Sequence, residues 1–275
     1  MLRKIQAALA IASFCFFAIY AFGAAHPHRQ QVAQPGNSNS TPVIVELFTS
    51  EGCSSCPPVD AFLKKLDDTR HVEGAEIIGI EEHVDYWDRL GWTDPFSSHD
   101  WTERQQLYSR ALRQEGIYTP QLIVNGSVEL RAISNRDAVQ RTVEAAKKSA
   151  AELQLSVITL SPKSAQLSFI AKNLPQEAGS AELWLAVTER GLSSNVLRGE
   201  NEGRNLVHAA ILRSLTRVSA AGKFSVSSAA TTATVSLKPS WRPENLRFVI
   251  FLQDRKSLRI LGAAAASGAR QSNAD

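Results

Sequence analysis

A pair of cysteines between an apolar strand and a helix is the feature that most restricts the fold of this chain. The segment "PVIVELFTS", residues 42–50, is apolar and rich in β-branched residues, which predicts a buried strand. "SEGCSSCPPVD" follows at residues 50–60, and "VDAFLKKLDD", residues 59–68, carries apolar residues at helical spacing. The sequence therefore predicts that Cys53 and Cys56 lie where a helix begins.

The start of a helix is a position that activates thiols. Its backbone N–H groups are free and the positive end of the helix dipole lies there. This position therefore favours a thiolate over a thiol and lowers the pKa of a cysteine. We therefore expect Cys53 to be the exposed nucleophile and Cys56 to lie deeper and resolve a mixed disulfide. A residue before proline avoids the α region, so the helix is expected to begin at Pro57 or Pro58, with Cys53 just outside it.

Residues 1–25 resemble a secretory signal peptide, with a short basic start, an apolar run and small residues at the end. We therefore expect an exported protein, periplasmic or secreted, that touches a membrane only if this segment is not cleaved. Beyond residue 25 only Cys53 and Cys56 remain, and in an oxidising compartment they are expected to form a disulfide. A bond across so short a loop stabilises little, which favours a chemical role, with a structural disulfide as the alternative.

The rest of the chain contains two structured segments of different pattern, preceded by a linker and followed by a tail. Residues 26–41 are polar with Pro and Gly and read as a flexible linker. Residues 42–150 predict the order β-α-β-α-β-β-α. In contrast, residues 151–265 contain short alternating stretches without helical periodicity, which predicts a β-sandwich-like accessory domain. Residues 266–275 are expected to be a disordered tail.

Three helix and hairpin signals occur within residues 42–150. A helix is predicted over 99–115, with Asp100 as a possible cap, Glu103 three residues later and Gly116 as its end. The "NG" in "TPQLIVNGSVELRA" predicts a β-hairpin. A last helix follows, with Ser134 or Asn135 as its cap.

The dipeptide Thr119–Pro120 directly precedes a strand that should be interior. Because proline has no N–H to donate to a neighbouring strand, a cis bond at the strand entrance is the expected solution. A strand, a Cys-x-x-Cys helix and a Thr-Pro before a hairpin resemble the thioredoxin superfamily. The resemblance implies that residues 42–150 are a thioredoxin-like domain and that Thr119 and Pro120 face the cysteines and bind substrate, with Tyr118 beside them.

The insertion "HVDYWDRLGWTDPF", residues 83–96, follows the second predicted strand. Ligands of open α/β sheets bind at the carboxyl ends of the strands, so we expect this segment beside Cys53. His83 and Asp85 are candidates for proton transfer with the thiols, and Trp87 is a candidate for a substrate-docking surface. The alternative is that the aromatic residues only pack the loop onto the core and that His83 is structural.

Several motifs together resemble a secreted thioredoxin-like family of unknown function, domain of unknown function 1223, over about residues 42–262. They are "ELFTSEGCSSCPP", "HVDYWDRLGWTDPFSS", "RQQLY", "YTPQLIVNG" and "GENEGRNLVHAAILR". The resemblance implies a fold and export but no activity. The chain has Gly52 where thioredoxins have Trp, which weakens the case for general reductase activity. The last motif contains Gly199, Glu200, Asn201, Arg204 and His208 and reads as a hairpin or loop with internal hydrogen bonds, or as a segment that faces the cysteines.

These patterns favour thiol–disulfide exchange with a restricted set of protein or small-thiol partners and no cofactor. The alternatives are a non-catalytic binding module with a structural disulfide, and a Cu or Zn site built from Cys53, Cys56 and His83. That site lacks an evident further ligand, so no metal is predicted. A net charge of +3 without a basic block argues against nucleic acid as a partner.

Overall fold

A mixed α/β fold is built around one nine-stranded sheet. The computed structural model describes residues 40–268 except 73, 132, 148–150, 176, 177, 179 and 220–226. The α-helices in this part of the chain are α1 (Pro57–Thr69), α2 (His99–Ala111) and α3 (Arg136–Ala146). The strands are β1 (Thr41–Thr49), β2 (His71–Val72), β3 (Ala75–His83), β4 (Gln121–Val124), β5 (Val128–Glu129), β6 (Glu152–Leu160), β7 (Ser164–Lys172), β8 (Ala181–Glu189), β9 (Ser193–Asn195), β10 (Asn205–Val207), β11 (Ile211–Ser219), β12 (Ser227–Ser236), β13 (Leu246–Asp254) and β14 (Ile260–Ser267).

The first segment contributes β1, β3, β4 and β5 to this sheet. Strands β1 and β3 are parallel, with Thr49 beside His83, and α1 lies between them in sequence. Strand β4 pairs antiparallel with β1, and β5 completes the predicted hairpin. The elements follow the predicted order β-α-β-α-β-β-α, with the two-residue β2 added. The end of β1 and the end of β3 therefore lie side by side at one edge.

Helix α1 begins at Pro57, as predicted, and Cys53 lies outside it. Cys56 nevertheless has α-helical dihedral angles, φ −75° and ψ −42°, so the expectation that it avoids the α region is wrong. The carbonyl oxygen of Cys56 accepts hydrogen bonds from the backbone N–H groups of Val59 (2.8 Å) and Asp60 (3.0 Å). These two bonds make Cys56 the cap that precedes the helix and outweigh the restriction that Pro57 imposes.

Helix α2 begins at His99, as predicted, but its cap and its end differ from the prediction. Its cap is Ser98, whose backbone is extended and whose hydroxyl accepts from the N–H of Asp100 (3.3 Å), so Asp100 lies inside the first turn. The helix ends at Ala111, short of Gly116, and Arg113 just beyond has a left-handed φ of 55°. Helix α3 is capped as predicted, by Asn135, which accepts from the N–H of Ala138 (3.0 Å).

The second segment extends the same sheet. Strand β11 lies parallel to β3 through Ile211 and Glu81, and the order continues to β8, β13 and β14. Strands β6, β7 and β12 form a second sheet, and β9 pairs with β10. The second sheet shares an apolar core with β8 and β13, which includes Leu167, Leu183 and Phe248. Residues 42–150 and residues 151–265 thus contribute strands to the same sheet.

The expected chain ends are only partly described. Ala266 and Ser267, assigned to the tail by sequence, belong to β14. The expected signal peptide 1–25, most of the linker and residues 269–275 lie outside the described residues. Among the described residues, no helix has the length and apolar character needed to cross a membrane.

Candidate functional site

A disulfide joins Cys53 and Cys56 in the loop between β1 and α1. Two successive turns shape this loop, in which the N–H of Cys53 donates to the carbonyl of Ser50 (3.1 Å) and that of Cys56 to Cys53 (3.2 Å). Both cysteines are 0% exposed, although Ser54 and Ser55 between them are exposed. The expectation that Cys53 is exposed is therefore wrong for the folded, disulfide-bonded chain.

The loop between β9 and β10, residues 196–204, which we call the covering loop, is hydrogen-bonded to the backbone of the cysteine loop. The side-chain amide of Asn201 donates to the backbone carbonyls of Glu51 and Cys53, both at 2.9 Å. Glu200 accepts from the backbone N–H of Ser54 (3.0 Å). The predicted segment that carries Asn201 thus faces the cysteines. Arg204 donates to Oδ1 of Asn201 (2.8 Å) and so holds the Asn201 side chain in place.

Trp87 links the cysteine loop to the segment before β4. Its indole N–H donates to the hydroxyl of Thr119 (2.8 Å). Its Cβ lies beside Gly52, where an added Cβ would stand 3.2 Å away, so a larger residue before Cys53 would press on Trp87. The Thr119–Pro120 bond is cis, as predicted.

A cavity of about 440 Å³ lies between the first turn of α1 and the segment that contains the cis bond. Val59, Tyr118 and Pro120 line it together with Leu122 and Leu130, so its wall is mainly apolar. Tyr118 is 42% exposed, and its hydroxyl donates to Glu129. The predicted substrate-binding residues Tyr118 and Pro120 therefore share one cavity.

The two predicted proton-transfer residues have different surroundings. Asp85 accepts from the hydroxyl of Thr102 (2.6 Å) and pairs with His99 (3.0 Å), so its bonded partners lie in α2. Burial alone would raise the pKa of Asp85, but these hydrogen bonds lower it. His83 is buried and donates through Nδ1 to Asp94 (2.7 Å), which also accepts from the N–H of Glu51 (2.8 Å).

His83 belongs to a group of ionisable side chains under the cysteine loop, none more than 5% exposed. We call it the buried charge cluster, and its members are Glu51, Asp60, Glu81, His83, Asp94 and His208. His208 bridges two of the acids, with Nδ1 3.0 Å from Glu81 Oε1 and Nε2 2.9 Å from Glu51 Oε1. The remaining oxygen of Glu81 accepts from the N–H of Ala209 (2.6 Å).

The cluster shifts the pKa values of its members in opposite directions. Burial would lower the pKa of His208, but hydrogen bonds to Glu51 and Glu81 raise it to about 9. Burial would raise the pKa of Glu81, but the hydrogen bond from His208 and the charges of His208 and His83 lower it. Burial and the charge of Glu81 raise the pKa of Asp60 to about 7, against a hydrogen bond from Thr49. Asp60 is thus the member of this group that titrates near neutral pH.

A metal site made of Cys53, Cys56 and His83 is not assembled in this structure. The two sulfur atoms are bonded to each other, so neither is available as a thiolate ligand. The ring nitrogens of His83 face Asp94 and Glu81 instead.

Comparison with known proteins places the chain in a family. Residues 44–253 match the family model described as "Protein of unknown function (DUF1223)". The chain belongs to the DUF1223 family. No curated protein matches it.

Solved structures agree with this DUF1223 fold. A crystallised protein from Agrobacterium tumefaciens is similar with a TM-score of 0.60 and 25% identity, over 86% of this chain and 98% of that one. HBP35 of Porphyromonas gingivalis is similar with a TM-score of 0.58 and 17% identity, over 86% of this chain and 78% of that one. The second likeness concerns the fold alone.

Sequence reasoning missed Glu51, Asp60 and Glu81 in this DUF1223 chain. A signal was present, because "IIGIEEHV" places two acidic residues and a histidine in an otherwise apolar strand. Charged residues are almost never fully buried without a partner, so such a strand indicates a buried polar network. The partner His208 lies 127 residues from Glu81, which no local pattern reveals.

Proposed function

We propose that residues 41–146 form a thioredoxin-like unit and that the protein exchanges thiols and disulfides through Cys53 and Cys56. The observation that carries this proposal is the position of the cysteine pair. It follows parallel β1, opens α1 and is tied through Trp87 to Thr119, next to the cis proline. Partners are proteins or small thiols, and export, inferred from residues 1–25, supplies the oxidising compartment.

The proposed chemistry is a two-electron exchange. A partner thiolate attacks the sulfur of Cys53, a mixed disulfide forms, and the Cys53–Cys56 bond breaks with Cys56 leaving as a thiolate. A second partner thiolate then attacks the partner's sulfur in the mixed disulfide and releases Cys53. The partner thiols are oxidised to a disulfide and the cysteine pair is reduced.

In this scheme we assign proton donation to Asp60, which lies one helical turn beyond Cys56. It lies in the first turn of α1, where its N–H bonds the carbonyl of Cys56 (3.0 Å). Burial raises the pKa of its carboxyl to about 7, so a large fraction is protonated near neutral pH and can neutralise the leaving thiolate.

The covering loop accounts for a restricted set of partners. A partner must displace the hydrogen bonds of Asn201 and Glu200 before it reaches either sulfur. The apolar cavity at Tyr118 and Pro120 offers a place where an extended partner segment docks beside the cysteine loop. Partners that engage both features gain access, and others do not.

A redox titration of the full chain against glutathione tests the proposal. A potential of about −120 to −270 mV is the range of thiol–disulfide catalysts, and we expect a value within it. Trapping with Cys56→Ser should then retain partners as mixed disulfides through Cys53, and the matched variant Cys53→Ser should retain fewer. A potential below about −300 mV would count against exchange.

The full burial of both cysteines favours a second candidate, a binding module in which the disulfide is structural. In that case the covering loop fixes the cysteine loop permanently. This candidate predicts the low potential and no trapped partner from either variant.

A further inference from the structure

Three potential ligand atoms converge inside the buried charge cluster. Glu81 Oε1 lies 3.0 Å from His208 Nδ1 and 3.3 Å from His83 Nε2, and the three atoms lie within 4.8 Å of one another. Ligands of a tetrahedral zinc ion lie about 2.0–2.1 Å from the metal, which places neighbouring ligand atoms about 3.3 Å apart. Shifts below about 1 Å would bring all three atoms to this geometry.

The other nitrogen of each histidine is held by a carboxylate. His83 Nδ1 bonds Asp94 (2.7 Å) and His208 Nε2 bonds Glu51 (2.9 Å). Metal-binding histidines almost always donate their second N–H to such a group, which fixes the tautomer and directs the free nitrogen at the ion. Here the remaining nitrogen of each histidine faces the same oxygen of Glu81, His208 Nδ1 in a hydrogen bond of 3.0 Å and His83 Nε2 at 3.3 Å.

An unsatisfied atom points to a ligand. His83 Nε2 is buried, and among the described residues no partner has hydrogen-bond geometry to it, although Glu81 Oε1 is 3.3 Å away. Buried polar atoms without a partner are rare in folded proteins and call for an explanation. A metal–nitrogen bond would satisfy this atom.

We propose that Glu81, His83 and His208 bind one divalent transition-metal ion, with Zn²⁺ the best match to two imidazoles and one carboxylate. The charges agree, because the two positive charges of the ion lie among the acidic side chains of Glu51, Glu81 and Asp94. With three protein ligands, a four-coordinate ion takes a water molecule as its fourth ligand. The ion fastens β3 to the residues that precede β11.

The test measures metal in the untagged full chain, purified without chelator and then refolded with Co²⁺ under oxidising conditions. We expect about one equivalent of metal per chain and the visible absorption bands of four-coordinate cobalt. X-ray absorption at the metal edge should show a first shell of nitrogen and oxygen with imidazole scattering and no sulfur. A chain that binds no stoichiometric metal by either route refutes the proposal, as does a sulfur-containing shell.

Variants separate this site from surface binding and from a purely ionic network. His208→Gln and Glu81→Gln should lose stoichiometric metal, whereas the exposed control His99→Gln should keep it. If those two variants fail to fold, Glu51→Gln decides, because it changes the group behind His208 and leaves all three ligands in place. It should weaken metal affinity about 10- to 100-fold. Unchanged affinity in Glu51→Gln, or metal lost equally in the His99 control, would overturn the assignment.

Discussion

Asn201→Ala is the most direct perturbation of the covering loop. It removes the two hydrogen bonds, both 2.9 Å, that join this loop to the carbonyls of Glu51 and Cys53. A typical hydrogen bond contributes about 1 kcal/mol net, so the covered state should lose about 2 kcal/mol. Every 1.4 kcal/mol is a factor of ten, so local opening should become about 30-fold more frequent.

The rate of disulfide reduction by dithiothreitol reports this opening, because both cysteines are fully buried when the loop is closed. We expect Asn201→Ala to be reduced about 30-fold faster than the parent. The matched control is Asn205→Ala in the same hairpin, whose exposed amide bonds Asn195 (2.8 Å) and not the cysteine loop. Unfolding rates of all three proteins are measured in parallel, to separate local opening from global unfolding.

Equal reduction rates in the three proteins would refute the reasoning, since the covering loop would then not control access. A faster rate in Asn201→Ala that merely follows faster global unfolding would also contradict it. Faster reduction of the Asn205→Ala control would show that the hairpin as a whole, and not these two hydrogen bonds, limits access.

Three further predictions concern stability. Because the pKa of Asp60 is about 7 in the folded protein against an ordinary 3.8, the parent should lose up to about 4 kcal/mol relative to Asp60→Asn as pH rises from 4 to 8, measured by urea unfolding. Arg104→Met leaves the buried carboxylate of Glu46 without its cation and should cost about 3–5 kcal/mol, partly recovered by adding Glu46→Gln. Gly126→Ala, at φ +65° with the new Cβ 2.0 Å from a backbone oxygen, should cost more than about 1 kcal/mol by the same measurement.

For each of these three predictions there is a result that would contradict it. A constant stability difference between Asp60→Asn and the parent across that pH range would show that the carboxyl is not perturbed. An Arg104→Met variant as stable as the parent would show that Glu46 does not depend on Arg104. For Gly126→Ala the control is Gly116→Ala, where the added Cβ would meet nothing within 4 Å, and equal effects of both would contradict the steric argument.

Local sequence patterns are sufficient to predict many of the elements within residues 42–150. The apolar run of β1, the helical spacing of α1 and the proline at residue 120 each carry their signal within a few residues. The cap of α2 was misassigned by two residues, because Ser98 and Asp100 are both good caps and only the backbone at Ser98 is extended. The burial of Cys53 could not be anticipated from its own neighbourhood.

The parts that sequence reasoning missed depend on contacts between distant residues. Strand β11 joins the sheet through Ile211 and Glu81, and its alternation of polar and apolar residues gives no sign of a parallel neighbour. The sequence marks His208 only as part of a polar segment and Glu81 only as part of a strand. Their pairing follows only from the arrangement of the whole sheet.

The contacts beneath the cysteine loop also set the order in which the protein folds. Glu51 and His208 are 157 residues apart, so their contact forms only after most of the chain is available. Contacts between residues so far apart in sequence form slowly. Cys53 and Cys56 are close in sequence and can meet before those contacts form. Before that contact forms, the pair lies on an open chain where other thiols can reach it, and in the folded protein it is buried.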